Sequence, residues 1–176
     1  MSPPGRPKGE FRSAQHEGTP VSAPGRSPSA PPAARSAEGR PLNEMKRILL
    51  LGGSGFVGRS VCERLVEHGG GAGVRITVPT RRLAHTKSIQ FLPTVDPVEC
   101  DVHDDAELSR VIAGHDAVVN LIAILHGSAA DFEHVHVRLA RRLASACVAA
   151  GVTRVVHVSA LGVSANAPSN YLRSKA

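Results

Sequence analysis

Tryptophan is absent from the 176-residue chain, and aromatic residues make up only 3% of it. Any core must be aliphatic, which favours an α/β domain over an aromatic-rich sandwich. The same scarcity disfavours a single-strand nucleic-acid binder that stacks bases on aromatic platforms. Cysteine is also scarce. Cys62, Cys100 and Cys147 are odd in number and widely spaced, with no CxxC pair, so neither a disulfide framework nor a zinc site is suggested. No apolar run approaches the ~18–20 residues that span a bilayer. The net charge is +6, but it is spread thinly and runs of like charge are very short, so no direct nucleic-acid partner is expected.

What is present is enough for one domain: 41% hydrophobic and 20% charged residues can bury a core of ordinary size. That core cannot include residues 1–44. Nine of the thirteen prolines lie there, mixed with Ser, Gly, Ala and Arg, and large apolar residues are nearly missing. Such a segment buries too little surface to offset its ordering entropy, so a disordered extension is expected. A targeting peptide, a flexible tail and a misassigned start compete to explain it. The last is favoured because Met45 stands immediately before the first strand.

From residue 45 onward strands and helices alternate. Lys46–Leu51 is an apolar run suited to a strand buried on both faces. A helix is expected over Phe56–His68, with Val57, Val61 and Leu65 on one face and Gly69–Gly71 stopping it. Val74–Val78 and Val95–Cys100 read as strands. Asp104 has the position of an N-cap with Glu107 three residues on, opening a helix that presents Leu108, Val111 and Ile112 and ends at Gly114. Ala117–Ile122 is a fourth strand. Asp131–Ala150 is a longer helix with Phe132, Val135, Leu139, Leu143, Ala146, Cys147 and Ala150 on one face, and Arg154–Val158 is a fifth strand. Tyr171–Ala176 would open the next helix. This rhythm predicts a Rossmann-type, doubly wound parallel sheet of about five strands with right-handed crossovers. No sixth strand follows, so the domain over residues 45–176 reads as truncated before its last strands.

The chemistry is concentrated after the first strand. Gly52, Gly55 and Gly58 have GxxGxxG spacing within Gly52-Gly53-Ser54-Gly55-Phe56-Val57-Gly58, between a strand and a helix. Gly52 permits the tight turn, Gly55 lets backbone approach a pyrophosphate, and Gly58 allows close helix–strand packing. Free amides at the helix start then face the phosphates. About 20 residues on, where a carboxylate would hold a ribose 2′-hydroxyl, stand Thr80-Arg81-Arg82. Guanidinium groups pair well with phosphate, so NADP(H) is preferred over NAD(H); the plainer alternative is two exposed loop charges. Tyr171 and Lys175 have YxxxK spacing, which puts both on one helix face ~6 Å apart along the axis. His134 and His136, two apart on different faces, cannot join in one helical metal site, and no metal is expected.

At these residues the chain resembles the extended and atypical short-chain dehydrogenase/reductases. The resemblance runs from Gly52–Gly58 through Asp101-Val102, Val119-Asn120-Leu121-Ile122, the HVSALG stretch from His157 and Tyr171–Lys175. Within that superfamily it is similar to the Rossmann-type accessory subunits of respiratory complex I and their bacterial relatives, on the stretches VNLIAILHG, FEHVHV, GVTRVVHVSALG and YLRSKA. The match covers nearly all of residues 45–176 and none of 1–44. It implies that Asp101 and Val102 meet the adenine, although Asp101 is equally placed as a turn residue before the Asp104 cap. It also implies that Asn120, Leu121, Ile122 and Ala123 line the cofactor and that Ser159 faces it. Lys175 would contact the nicotinamide ribose and lower the pKa of Tyr171, the acid/base. Ala160 and Leu161 stand where the superfamily carries its catalytic Ser/Thr, so binding is better supported than hydride transfer.

Three functions are therefore expected in order. The first is an NADP(H)-binding protein using its cofactor structurally or as a redox sensor, with a respiratory membrane complex as partner. The second is an active oxidoreductase or nucleotide-sugar epimerase/dehydratase using Tyr171 and Lys175. The third is a dinucleotide-sensing transcriptional co-regulator. The resemblance implies a bacterial cytoplasmic location, peripheral to the inner membrane, or the mitochondrial matrix in a eukaryote.

Overall fold

The computed structural model describes residues 46–69 and 73–176. The expected disordered extension, Met45, and Gly70 and Gly71 of the expected helix stop lie outside the described residues. Five strands, β1 (Lys46–Leu51), β2 (Val74–Thr80), β3 (Val95–Glu99), β4 (Ala117–Asn120) and β5 (Arg154–His157), form one sheet in the order β3-β2-β1-β4-β5. All four pairings are parallel. The helices are α1 (Phe56–His68), α2 (Asp105–Ile112), α3 (Ala129–Phe132), α4 (Leu139–Ala149) and α5 (Asn170–Ser174), with a π-helical segment, Glu133–Arg138, joining α3 to α4. This is the expected Rossmann-type sheet. Its strand order reverses between β1 and β4, where a crevice opens at the strands' carboxyl ends.

The central strand explains its own composition. Leu49 and Leu51 enter the core beneath α2 and α4, with Val118, Leu108, Ile112, Leu139 and Leu143. Leu50 points to the opposite layer, with Cys62 of α1, Ile76, Val78 and Ile89. A strand covered on both faces needs apolar residues at successive positions, and each buried leucine contributes roughly 1.5–3 kcal/mol.

Several boundaries and faces differ from expectation. β2 runs two residues further, through Pro79 and Thr80. The missing Pro79 amide costs no ladder bond, because that side faces β1, whose pairing with β2 ends at Leu49 and Thr77. β3, β4 and β5 each end earlier than expected, β4 by two residues, at Asn120. In α1 the buried stripe is Gly58 and Cys62, flanked by Val61, Leu65 and Val66, whereas Val57 is 56% exposed. The long helix starts not at Asp131 but at Ala129. Ser128 is its cap: the Ser128 side chain accepts from the Asp131 amide (3.2 Å), and Asp131 accepts from the Ser128 amide (2.8 Å). In the π segment His136, not Val135, takes the fully buried position.

The α2 cap is formed as read. Asp104 Oδ1 accepts from the Glu107 amide at 2.8 Å. Glu107 does not close the box on Asp104; its carboxylate reaches past to the Asp101 amide at 2.6 Å, tying the β3–α2 turn to the helix. Asp104→Ala is expected to destabilise the fold by about 1 kcal/mol, measured as a lower urea midpoint with unchanged slope. An unchanged midpoint refutes the cap's contribution.

Candidate functional site

At the carboxyl end of the sheet lies a cleft of about 600 Å³, lined by Gly52, Ser54, Pro79, Thr80, Arg81, Arg82, His85, Cys100, Val102, His103 and Ile122. Each wall follows from the topology. The loop after β1 supplies Gly52 and Ser54, the end of β2 supplies Thr80 to Arg82, and the segment after β3 supplies Cys100 to His103. Ile122 comes from the segment after β4.

The glycine loop is compressed at its base. Gly52 has φ +79°, and a Cβ there would also come within 3.2 Å of the Leu121–Ile122 backbone. A Cβ on Gly58 would lie 2.2 Å from the Gly52 oxygen and 2.5 Å from the Gly53 Cα. Gly58 therefore lets α1 start directly against the loop. The Gly55 amide is turned inward onto the Gly52 oxygen (3.0 Å). The amides left for a ligand are those of the first turn of α1, at Phe56 and Val57, which have no i−4 carbonyl to bond. The α1 cap residue Gly55 makes no side-chain cap bond, and no acidic residue stands in the first turn to compete for an anion. Ser54, Gly55 and Phe56 also line a shallower hollow beside the cleft, and Phe56 is 96% exposed.

The second half of the cleft is cationic. Arg81 and Arg82 give it its charge, His85 and His103 stand beside them, and among the described residues no carboxylate lines it. The Thr80 side chain orders the turn, accepting from the Arg82 amide at 3.3 Å. Asp101 is engaged in the β3–α2 turn: its Oδ1 accepts from the His103 amide (3.0 Å), leaving Cys100, Val102 and His103 as the wall. Burial pushes the Cys100 thiol up to about 11, with Glu107 adding to the effect, so the wall carries a neutral thiol. His103 stacks on His134 at 4.5 Å between ring centroids. Thus His134 faces the cleft wall while His136 is buried beyond it, on separate faces as the spacing required.

Ser159, Tyr171 and Lys175 are not among the residues lining this cleft; they gather in a neighbouring cluster. Lys175 Nζ donates to the Val158 carbonyl (2.9 Å) and lies 6.0 Å from the Tyr171 ring centroid. Ser159 Oγ donates to the Lys175 carbonyl (3.1 Å), and burial lowers the Lys175 pKa below that of an ordinary lysine. Between cleft and cluster runs the segment after β4, in which Leu121 packs toward the α1 layer, Ile122 toward the α2–α4 layer, and Ala123 is exposed.

Two buried polar residues in this region were not singled out for the work they do. Asn120 accepts from the Ile122 amide (3.1 Å) and donates to His157 Nδ1 (3.0 Å). His136 accepts from the Ile124 amide at Nε2 (3.0 Å) and bonds Ser174 Oγ through Nδ1 (2.8 Å). A buried histidine interrupting an apolar helix face was the available signal.

Burial lowers the pKa of His103, His115, His136 and His157, so the folded chain holds these rings neutral. The unfolded chain takes up protons as pH falls through about 6.5, where the folded chain resists them. Stability is therefore full above that value and declines below it. The thermal midpoint is expected to drop by roughly 4 °C or more between about pH 7.5 and about pH 5.5. A flat or rising midpoint contradicts the neutral assignments.

The site's materials suit a dinucleotide: a cradle that Cβ atoms would fill, uncommitted helix-start amides, and cations 20-odd residues along the chain. The profile of a family described as NAD(P)H-binding matches residues 52–176. Subunit 9 of the NADH dehydrogenase (ubiquinone) 1 alpha subcomplex, mitochondrial, of Mus musculus is 33% identical over 132 residues, covering 72% of this chain and 34% of that protein. The dTDP-glucose 4,6-dehydratase of Streptomyces niveus is 30% identical over 125 residues, covering 64% of this chain and 37% of the enzyme. A dTDP-glucose 4,6-dehydratase from Streptomyces venezuelae, solved with NAD and DAU bound, superposes with a TM-score of 0.59 at 30% identity, over 73% of this chain and 48% of that one. The chain thus spans about a third of the length of the two curated relatives.

Proposed function

Since the chain belongs to the NAD(P)H-binding family, among the atypical short-chain dehydrogenase/reductases, we propose that it holds NADP(H) in the cleft as a structural or redox-sensing ligand. The observation that carries the choice of NADP(H) is the pair of guanidinium groups, Arg81 and Arg82, in a wall with no carboxylate among its described lining residues. On this reading the loop of Gly52, Gly53, Ser54 and Gly55 and the first-turn amides of Phe56 and Val57 take the diphosphate, with Gly58 letting the helix start close enough to reach it. Arg81 and Arg82 take the 2′-phosphate, and Asp101 and Val102 flank the adenine. Leu121, Ile122 and Ala123 lead toward the nicotinamide end, where Ser159, Tyr171 and Lys175 gather. When bound, the group supplies hydride chemistry; the chain's residues bind and orient it.

The cofactor role is proposed as structural or sensing because Ala160 and Leu161 offer no hydroxyl to polarise a carbonyl. The reading includes an association with a respiratory membrane complex, on its cytoplasmic or matrix face, which the likeness to the mouse subunit supports. Among the described residues no helix is long and apolar enough to cross a membrane. Co-purification with respiratory subunits tests that association, and its absence from such complexes rejects it. A second reading, an active oxidoreductase or epimerase/dehydratase, is favoured by the half-buried Lys175 beside Tyr171 and by the dehydratase relatives.

The test is a titration of the chain with NADPH and with NADH, followed by calorimetry. Tighter binding of NADPH is expected; tighter binding of NADH rejects the NADP(H) reading, and binding of neither rejects the function.

A further inference from the structure

We propose that His136 is a positioning residue for the dinucleotide site, acting as a neutral imidazole that locks the segment after β4 to α5, the helix that carries Tyr171 and is capped by Lys175. The inference rests on the reading of the cleft given above. His136 is only 5% exposed and Asn120 only 2%, and each gives one polar atom to this segment and the other to a neighbouring element, His157 of β5 for Asn120 and Ser174 of α5 for His136. The Leu121 amide bonds Leu51 O (3.0 Å), the Ile122 amide bonds Asn120, and the Ile124 amide bonds His136. A stretch with no regular secondary structure is thereby held at three amides. Its backbone also abuts Gly52, so a shift of the segment presses on the glycine loop.

The tautomer follows from the partners. The Ile124 amide can only donate, so His136 Nε2 carries no proton and Nδ1–H donates to Ser174 Oγ. That hydroxyl in turn donates to the Tyr171 carbonyl (2.9 Å). The Phe132 ring, tilted, and the Tyr171 ring, nearly perpendicular, pack about the imidazole with centroids 5.4 and 5.5 Å from its own. One ring therefore joins the cleft side of the sheet to α5.

Protonation of Nε2 would set two donors against each other at Ile124, and the lock would open. Burial opposes that proton first, and the basic groups facing His136 add to it: Lys175 at the C-cap of α5 and His157 on β5. The lock is closed above the ordinary histidine pKa and opens as pH falls well below it. By reciprocity, a ligand that needs the closed arrangement must lower the His136 pKa further.

The test uses the whole chain, with nitrogen NMR of the histidine rings and fluorescence titration of NADPH and NADH between about pH 8 and about pH 5. NADH is included because the 2′-phosphate of NADPH itself titrates in this range. The His136 ring is expected to show the Nδ1–H tautomer, with a pKa that falls when NADPH is added. Affinity for both nucleotides should weaken on the order of tenfold on acidification. His136→Gln keeps an acceptor near Nε2 but cannot titrate, and should lose most of the acid step while binding well at high pH. His136→Phe should bind about tenfold more weakly at all pH values, since it leaves the Ile124 amide unpaired. An Nε2–H tautomer, a pKa unmoved by nucleotide, or an acid step retained in His136→Gln overturns the proposal. If the Phe variant does not fold, the Gln variant and the parent spectrum still decide. Absence of nucleotide binding by the parent at about pH 8 sinks the cleft reading as well, and is thus distinguishable from failure of His136 alone.

Discussion

Gly58→Ala should cost roughly 3 kcal/mol of stability or more and abolish nucleotide binding in whatever fraction remains folded. The added methyl would meet Gly52 O at 2.2 Å and Gly53 Cα at 2.5 Å, and both are backbone atoms that no rotamer change can move aside. Relief requires α1 to retreat from the loop, which opens the Cys62 contact with the buried layer of Leu50, Ile76 and Val78. Gly55→Ala is the informative contrast. Its Cβ would meet only the Gly52 oxygen, at 3.2 Å, so the fold should lose little while the methyl stands where a phosphate approaches. Thermal melts and nucleotide titrations of the two variants separate packing from binding. Equal stability of both would refute the account of the cradle.

Removing both arginines should separate the two nucleotides. Arg81→Ala with Arg82→Ala is expected to weaken NADPH on the order of tenfold to a hundredfold, as charge-assisted contacts to a phosphate are worth roughly 1.5–3 kcal/mol. NADH, which lacks the 2′-phosphate, should change by less than about threefold. Both side chains lie outside the buried core, so the melting temperature should barely move. Equal losses for the two nucleotides would mean that the arginines steer anions in general, and the preference for NADP(H) would be abandoned. Salt separates the cases further, because long-range steering falls with ionic strength more steeply than a seated contact.

β1, α1 and the Asp104 cap are legible in the sequence to the residue, because their signals are local: an apolar run, three small residues at set spacing, a carboxylate three positions before the amide it holds. Strand alternation with helices was likewise enough for the parallel order. The faces of α2 and α4 were legible too, but where the buried stripe of α1 lies was set by tertiary packing. Val57 is apolar and yet exposed, since Gly58 had to face the loop and rotated its neighbour outward. It also decided what His136 does. Its partners, Ile124 and Ser174, stand 12 and 38 residues away, and only the folded sheet brings both to one imidazole. Periodicity reports which positions avoid water; it carries no record of the distant donor or acceptor that makes a buried polar side chain affordable.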